Sequence, residues 1–171
     1  YLNNKLKKIG IEAPIKVFDH HVSHAYSTYS SAPFDDSLVV TMDAMGDGLS
    51  CTTSIGNDGH LIKVNEMNGF CNPAFIYSKI TQLLGFIPLR HEGKITGLAA
   101  YGDHTKCEGS FRKLMGIKNG KFWIKNNLKE TDPILKELKT LNKEDVAAGL
   151  QFIFEEIITD HIKIQLKIHG K

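Results

Sequence analysis

An antiparallel meander followed by helices, and so a layered α/β or α+β domain, is what this sequence predicts. Three observations carry the expectation. Residues 38–42, LVVTM, form an apolar, β-branched run of buried-strand length. A second run over 49–55 holds Thr52 and Thr53, which favour extended backbone. Asn57-Asp58-Gly59 then separates it from a third, Leu61-Ile62-Lys63-Val64, with the signature of a tight hairpin. The 171 residues are 42% apolar and 23% charged, the composition of a folded chain long enough to bury a core.

The remaining elements follow in order. Residues 1–14 are polar and lysine-rich and end at Pro14, reading as a helix tail and loop. Residues 15–18, IKVF, are a short strand candidate. Asp19 is placed to cap a helix reaching Ser31, since no breaker occurs until Pro33. Asp43 ends the first meander strand. Pro73 opens a helix whose Phe75, Ile76, Ile80, Leu83 and Leu84 repeat with helical period up to Gly85. A glycine-rich stretch, HEGKITGLAAYG, covers 91–102. Lys118-Asn119-Gly120-Lys121 marks a second hairpin turn, with Phe122, Trp123 and Ile124 on the outgoing strand. Residues 133–141 read as a short helix. Asn142 then caps a long one, with Asp145 three residues on and Val146, Leu150, Ile153, Ile157 and Ile164 along one face.

Charge and cysteine content exclude several classes. Lys plus Arg is 21 against 19 for Asp plus Glu, a net charge of +2, which supplies no field for nucleic acid or an anionic membrane. No apolar run approaches the roughly 18 residues of a membrane span, and no signal-peptide core stands at the N-terminus. The three cysteines, Cys51, Cys71 and Cys107, include no C-x-x-C pair. Neither a disulfide framework nor a structural zinc site is expected, and free thiols fit a reducing cytoplasm. H-E-x-x-H, G-x-S-x-G and the P-loop are all absent.

Three segments carry chemistry. His20 and His24 lie four apart on the expected helix, so both rings share a face and can converge on one ion. Neutral imidazole is the ligating form, and the partial positive charge of a helix N-terminus favours it. Asp43 is a plausible carboxylate partner, whereas His21 points a quarter-turn away. With eight histidines in the chain, spacing alone leaves solvent-facing or core histidines open. The D-A-M-G-D-G segment, with Asp43, Gly46, Asp47 and Gly48, admits two readings. It is a phosphate cradle with a metal-holding carboxylate, or it is an Asp-Gly hairpin turn. The 91–102 stretch, with Gly93, Lys94 and Gly97, either lines a nucleotide site or packs a helix tightly.

Taken in order, DHHVSHA, VVTMDAMGDG about twenty residues on, and EGKITGLAAYG resemble the O-carbamoyltransferases of nodulation-factor and antibiotic biosynthesis. The likeness continues through EDVAAGLQFIFEEII and covers most of the chain from Ile15 onward. Elements of it are also similar to the hydrogenase-maturation carbamoyltransferase and the tRNA threonylcarbamoylation ATPase. The resemblance implies an actin-like, ribonuclease-H-like (ASKHA) fold, with residues 1–35 ending one lobe and 36–171 starting the next. It implies that ATP and carbamoyl phosphate form a carbamoyl-adenylate whose carbamoyl group passes to an acceptor hydroxyl on a small molecule. It implies a divalent metal at the phosphates, iron foremost with zinc or magnesium as alternatives, held by His20, His24 and Asp43. Gly46, Asp47, Gly48, Gly93, Lys94 and Gly97 would contact nucleotide or phosphate. No catalytic residue is assigned. The chain begins at Tyr1 and ends just after the long helical pattern, and is expected to be an inactive piece of a cytoplasmic enzyme that works with the rest of its parent chain. A tRNA threonylcarbamoylation-type ATPase and a non-catalytic scaffold retaining the fold are the alternatives.

Overall fold

The structure is a computed structural model that describes residues 1–171. The elements run α1 (Leu2–Lys8), α2 (His20–Ser31), β1 (Ser37–Gly46), β2 (Leu49–Asn57), β3 (His60–Asn68), α3 (Ala74–Leu83), α4 (Glu92–Ala99), α5 (Glu108–Phe111), β4 (Met115–Lys118), β5 (Lys121–Ile124), α6 (Pro133–Leu138) and α7 (Lys143–His169). β1, β2 and β3 form the expected antiparallel meander, and β4 with β5 a separate hairpin. α2 lies against β1 and β2, burying His21, Ala25 and Tyr29 at four-residue spacing.

The helices make the main core. Ile76 and Ile80 of α3, Ile95 of α4 and Phe111 of α5 close around Val146, Leu150, Ile153 and Ile157 of α7. Burying each such side chain contributes about 1.5–3 kcal/mol. Gly149 admits the Cys107 thiol, which a Cβ would overlap, and at Gly102 the backbones approach closely enough that a Cβ would strike the Glu144 carbonyl. The apolar face of α7 continues through His161 and Gln165, both buried, whereas Ile164 is only half-buried.

Three expectations change. Residues 15–18 form no strand: they are exposed and unpaired with any strand, because none lies alongside to complete a ladder. The glycine-rich stretch, for which helix packing is one of two readings, is mostly helix α4, with Gly93 and Gly97 inside it. The short helix ends at Leu138 instead of 141. Asn142 stands at the N-cap of α7, but its side chain bonds no helix amide. Asp145 is held mainly from outside the helix. Its carboxylate accepts from the Asp103 N–H and the Lys106 ammonium, each at 2.8 Å, which ties the turn before α5 to the start of α7.

One buried polar contact joins sheet, hairpin and helix. His161 Nδ1 donates to the Gly120 carbonyl at 3.2 Å, leaving Nε2 to face the Cys51 thiol at 3.6 Å. Burial pushes the Cys51 thiol up to about 12 and the Cys107 thiol up to about 11, so neither forms thiolate at neutral pH. Cys71 is exposed. A thiol reagent is therefore expected to modify Cys71 alone in the native chain and all three free cysteines after unfolding, as mass spectrometry of the labelled protein would read.

Burial also holds the His161 imidazole below its ordinary 6.5, and the Gly120 carbonyl only partly offsets this. The unfolded chain then takes up this proton first. The contribution is complete above pH 6.5 and is lost as pH falls from there toward the folded-state value. Urea unfolding at about pH 7.5 and about pH 5.5 should show a smaller loss of stability on acidification in His161→Gln than in the parent chain.

Candidate metal centre

The site forms where the first turn of α2 meets the far end of β1. Asp19 caps the helix by accepting from the Val22 N–H at 2.9 Å. Asp47 closes the same turn from the hairpin side, accepting the His20 N–H at 2.8 Å. His21 fastens the helix to the sheet. Its Nε2 donates to the Leu49 carbonyl at 3.1 Å, and its Nδ1 lies 2.7 Å from the Thr41 hydroxyl, which in turn lies 2.8 Å from that of Thr52. With His21 buried against the sheet, His20 and His24 are rotated to its rim.

β1 meets them with a bulge. Met42 pairs with Cys51 and Gly46 with Leu49, so Asp43, Ala44 and Met45 stand opposite the single residue Ser50. The bulge takes the Asp43 and Ala44 carbonyls out of the ladder. The buried Asn72 side chain, just before α3, recovers both, its Nδ2 donating to each at 2.6 Å while its Oδ1 accepts from the Ala74 N–H at 2.9 Å. Leaving such carbonyls unpaired inside the protein costs about 1–3 kcal/mol each.

The three side chains singled out by spacing do meet. Asp43 Oδ2 lies 2.6 Å from His20 Nε2 and 3.7 Å from His24 Nε2, and the two ring nitrogens are 3.1 Å apart. All three donor atoms fall within 4.8 Å of one another. A ring nitrogen has one in-plane site, so His20 Nε2 cannot bond well to both neighbours through one proton. A cation at their centre would satisfy all three. Ligands about 2.05 Å from a tetrahedral ion sit roughly 3.3 Å apart, which these spacings approach. The side chains are 38%, 56% and 37% exposed for His20, His24 and Asp43, leaving room for further ligands. The His20 hydrogen bond, helped by the Ala44 N–H and opposed by partial burial, holds the Asp43 carboxyl below the usual carboxylate range, in the ionised form that ligation needs.

The other expected residues have varied places. Gly46 faces His20: a Cβ there would overlap the imidazole. Asp47 and Gly48, at φ 50° and 82°, form the two-residue turn between β1 and β2. Beyond Asp43 a cavity of ≈ 280 Å³ is lined by Asp43, Ala44, Asn72, Phe122 and Phe154. A second, of ≈ 490 Å³, shares Ala44, Ala74 and Phe154 with it and extends past Tyr77 to Glu92, Gly93 and Thr96 of α4. Gly93 thus lies on a trough leading from Asp43. Lys94 and Gly97 do not line it, and the Lys94 ammonium lies over the Phe86 ring, 5.8 Å from its centre. Sequence reasoning missed Asn72 and the anchoring role of His21. Asn72 stands before Pro73 like any turn asparagine, and the carbonyls it satisfies are 28 and 29 residues away.

The chain as a whole belongs to a known class. Residues 2–167 match the family described as carbamoyltransferase N-terminus, and the chain belongs to that family. An uncharacterized protein of Methanocaldococcus jannaschii is 30% identical over 190 residues, covering 95% of this chain and 30% of the relative. A second from the same organism is 34% identical over 110 residues, covering 58% of this chain and 21% of its own length. Nodulation protein NolNO of Sinorhizobium fredii is 26% identical over 166 residues, covering 91% of this chain and 24% of the relative. The chain thus spans less than a third of the length of these relatives. No helix is long and apolar enough to cross a membrane.

The close approach at Gly46 is directly testable. Gly46→Ala should displace the His20 ring and destabilise the chain by about 1–3 kcal/mol, as overpacking does. Thermal melting checks the loss, and the ring resonances of His20 should shift while those of His161 hold.

Proposed function

We propose that this chain supplies the metal-binding part of an O-carbamoyltransferase that uses ATP and carbamoyl phosphate to carbamoylate a small-molecule hydroxyl. The observation that carries the reading is the convergence of His20, His24 and Asp43 at 2.6–3.7 Å in a chain of the carbamoyltransferase N-terminus family. NolNO, named as a nodulation protein, supports placing it among enzymes of that biosynthetic kind.

Two imidazoles and one carboxylate suit iron(II) or zinc better than magnesium, which prefers an all-oxygen shell. Such an ion supplies Lewis-acid stabilisation of charge on phosphate oxygens. The protein's part is to hold the donors ready. His20 and His24 present Nε2 from one helical face, and Asp43 contributes its ionised carboxylate. Asp47 and Gly46 keep the His20 backbone and ring in place. The trough running from Asp43 past Ala44 to Gly93 offers apolar walls for a nucleotide base and a path toward the ligands for its phosphates. Of the six residues expected at nucleotide or phosphate, Gly93 is the one whose position on this trough supports the role.

In the proposed sequence carbamoyl phosphate is hydrolysed to carbamate and phosphate outside these residues. A carbamate oxygen attacks the α-phosphorus of ATP and pyrophosphate leaves. The acceptor hydroxyl then attacks the carbamoyl carbon, loses its proton and releases AMP. The same reading gives residues 1–35 to the end of one actin-like lobe and 36–171 to the start of the next, in a cytoplasmic enzyme.

The test uses the full-length parent enzyme. Elemental analysis should find a bound divalent metal, and His20→Ala, His24→Ala and Asp43→Asn should each lose it. Carbamoyl-phosphate-dependent release of AMP and pyrophosphate should fall by roughly 10²-fold or more in each variant. Full turnover in enzyme stripped of metal, or in all three variants, would overturn the proposal.

A further inference from the structure

We infer that Asn72 is the positioning residue of the Asp43 carboxylate. The inference deepens the metal-site reading above, and only its metal-binding arm rests on that reading.

The peptide unit joining Asp43 to Ala44 is held at both ends. Its carbonyl oxygen accepts from Asn72 Nδ2, and its N–H donates to Asp43 Oδ1, both at 2.6 Å. Carbonyl and N–H of a trans peptide point in opposite directions. Fixing the oxygen on Asn72 therefore aims the N–H, and the N–H holds Oδ1. Oδ2 is then left turned toward His20, 2.6 Å from its Nε2. The second Asn72 bond, to the Ala44 carbonyl at 2.6 Å, fixes the next peptide unit and prevents the bulge from rolling about its strand axis.

The chemistry demands an amide. One nitrogen must donate twice, to two carbonyls that the bulge has stripped of ladder partners, and the neighbouring oxygen must accept from the Ala74 N–H. Aspartate has the same shape and keeps the acceptor, but it sets a carboxylate oxygen against two carbonyl oxygens. Glutamine carries the amide one methylene too far. Asn72 is buried and also bonds the start of α3, so it ties the bulge to the first turn of α3 beside the ≈ 280 Å³ cavity.

The test compares the full-length parent with Asn72→Asp, Asn72→Ala and the core variant Ile80→Val, all first without metal. Selective ¹⁵N-alanine and ¹⁵N-histidine labelling reports the Ala44 amide and the His20 ring directly. In Asn72→Asp the Ala44 amide should exchange with solvent about tenfold or more faster, since its hydrogen bond opens locally, and its proton and the His20 Nε2 resonance should both shift. Asn72→Ala, which leaves space for water at the two carbonyls, should give the same changes if the aspartate variant does not fold. Ile80→Val, destabilised elsewhere, should give neither. Cobalt(II) titration followed by its visible bands should then show about 10–100-fold weaker binding in the Asn72 variants than in Ile80→Val, the usual effect of losing a residue that orients a ligand. An Ala44 amide as protected and unshifted in the Asn72 variants as in the parent would overturn the inference. So would cobalt affinity no weaker than that of Ile80→Val. A parent that binds no cobalt, while the Ala44 and His20 responses persist, upholds Asn72 as the positioning residue and removes the metal reading instead.

Discussion

The burial of His21 is the contact on which the site depends. An imidazole enclosed between a helix and a sheet must satisfy both ring nitrogens, and this one does so on Thr41 of β1 and the Leu49 carbonyl of β2. Those partners lie on different strands, so they fix both the rotation of α2 and its height above the hairpin. Rotation decides which face is left over. With His21, Ala25 and Tyr29 turned inward, His20 and His24 come to the rim beside the strand end that carries Asp43. Two imidazoles at i and i+4 meet the carboxylate only because a residue between them is committed elsewhere.

The hairpin answers this constraint with a local fault in its own ladder. Pairing without a bulge would carry Asp43 along a regular pleat and keep its carbonyl in the sheet. Three residues opposite one break that pattern and turn the carboxylate outward. The cost falls on two carbonyls, and Asn72 offsets it from the loop before α3. The helical layer steadies α3: the Tyr77 hydroxyl donates to Gln151 of α7 at 2.8 Å, and the His161–Cys51 contact links α7 back to β2. The exposed site therefore rests on a buried scaffold, the arrangement a metal site needs if its donors are to stay converged while its open positions face substrate.

Much of this is legible in residue order. LVVTM, the threonine-rich run after it and Asn57-Asp58-Gly59 specify a meander because β-branched residues and a two-residue turn leave the backbone few alternatives. Asp19 before an unbroken polar helix marks the start of α2, and the spacing of Val146, Leu150, Ile153 and Ile157 marks the buried face of α7. His20, His24 and Asp43 are legible as candidates for the same reason: helical period and strand termination are local properties. The strand expected at 15–18 fails because a strand is not local. Its apolar residues have the right pattern, but nothing in these residues pairs with them. Asn142 and Asp145 fit a capping pattern, yet Asp103 and Lys106, brought in by the tertiary fold, bind Asp145 first.

The sequence by itself determined the order of elements, the two imidazoles on one helical face and the carboxylate at a strand end, since each depends on neighbours within a few residues. It also carried the likeness that the family match over residues 2–167 bears out. Only the tertiary structure decided that these donors converge, that Gly46 is bare to admit a ring, that Lys94 turns to Phe86 instead of the trough, and that Asn72 holds the bulge. Each of those facts relates residues far apart in the chain. Their geometry is set by packing and by the need to satisfy buried polar groups, and neither is written in the spacing of any single segment.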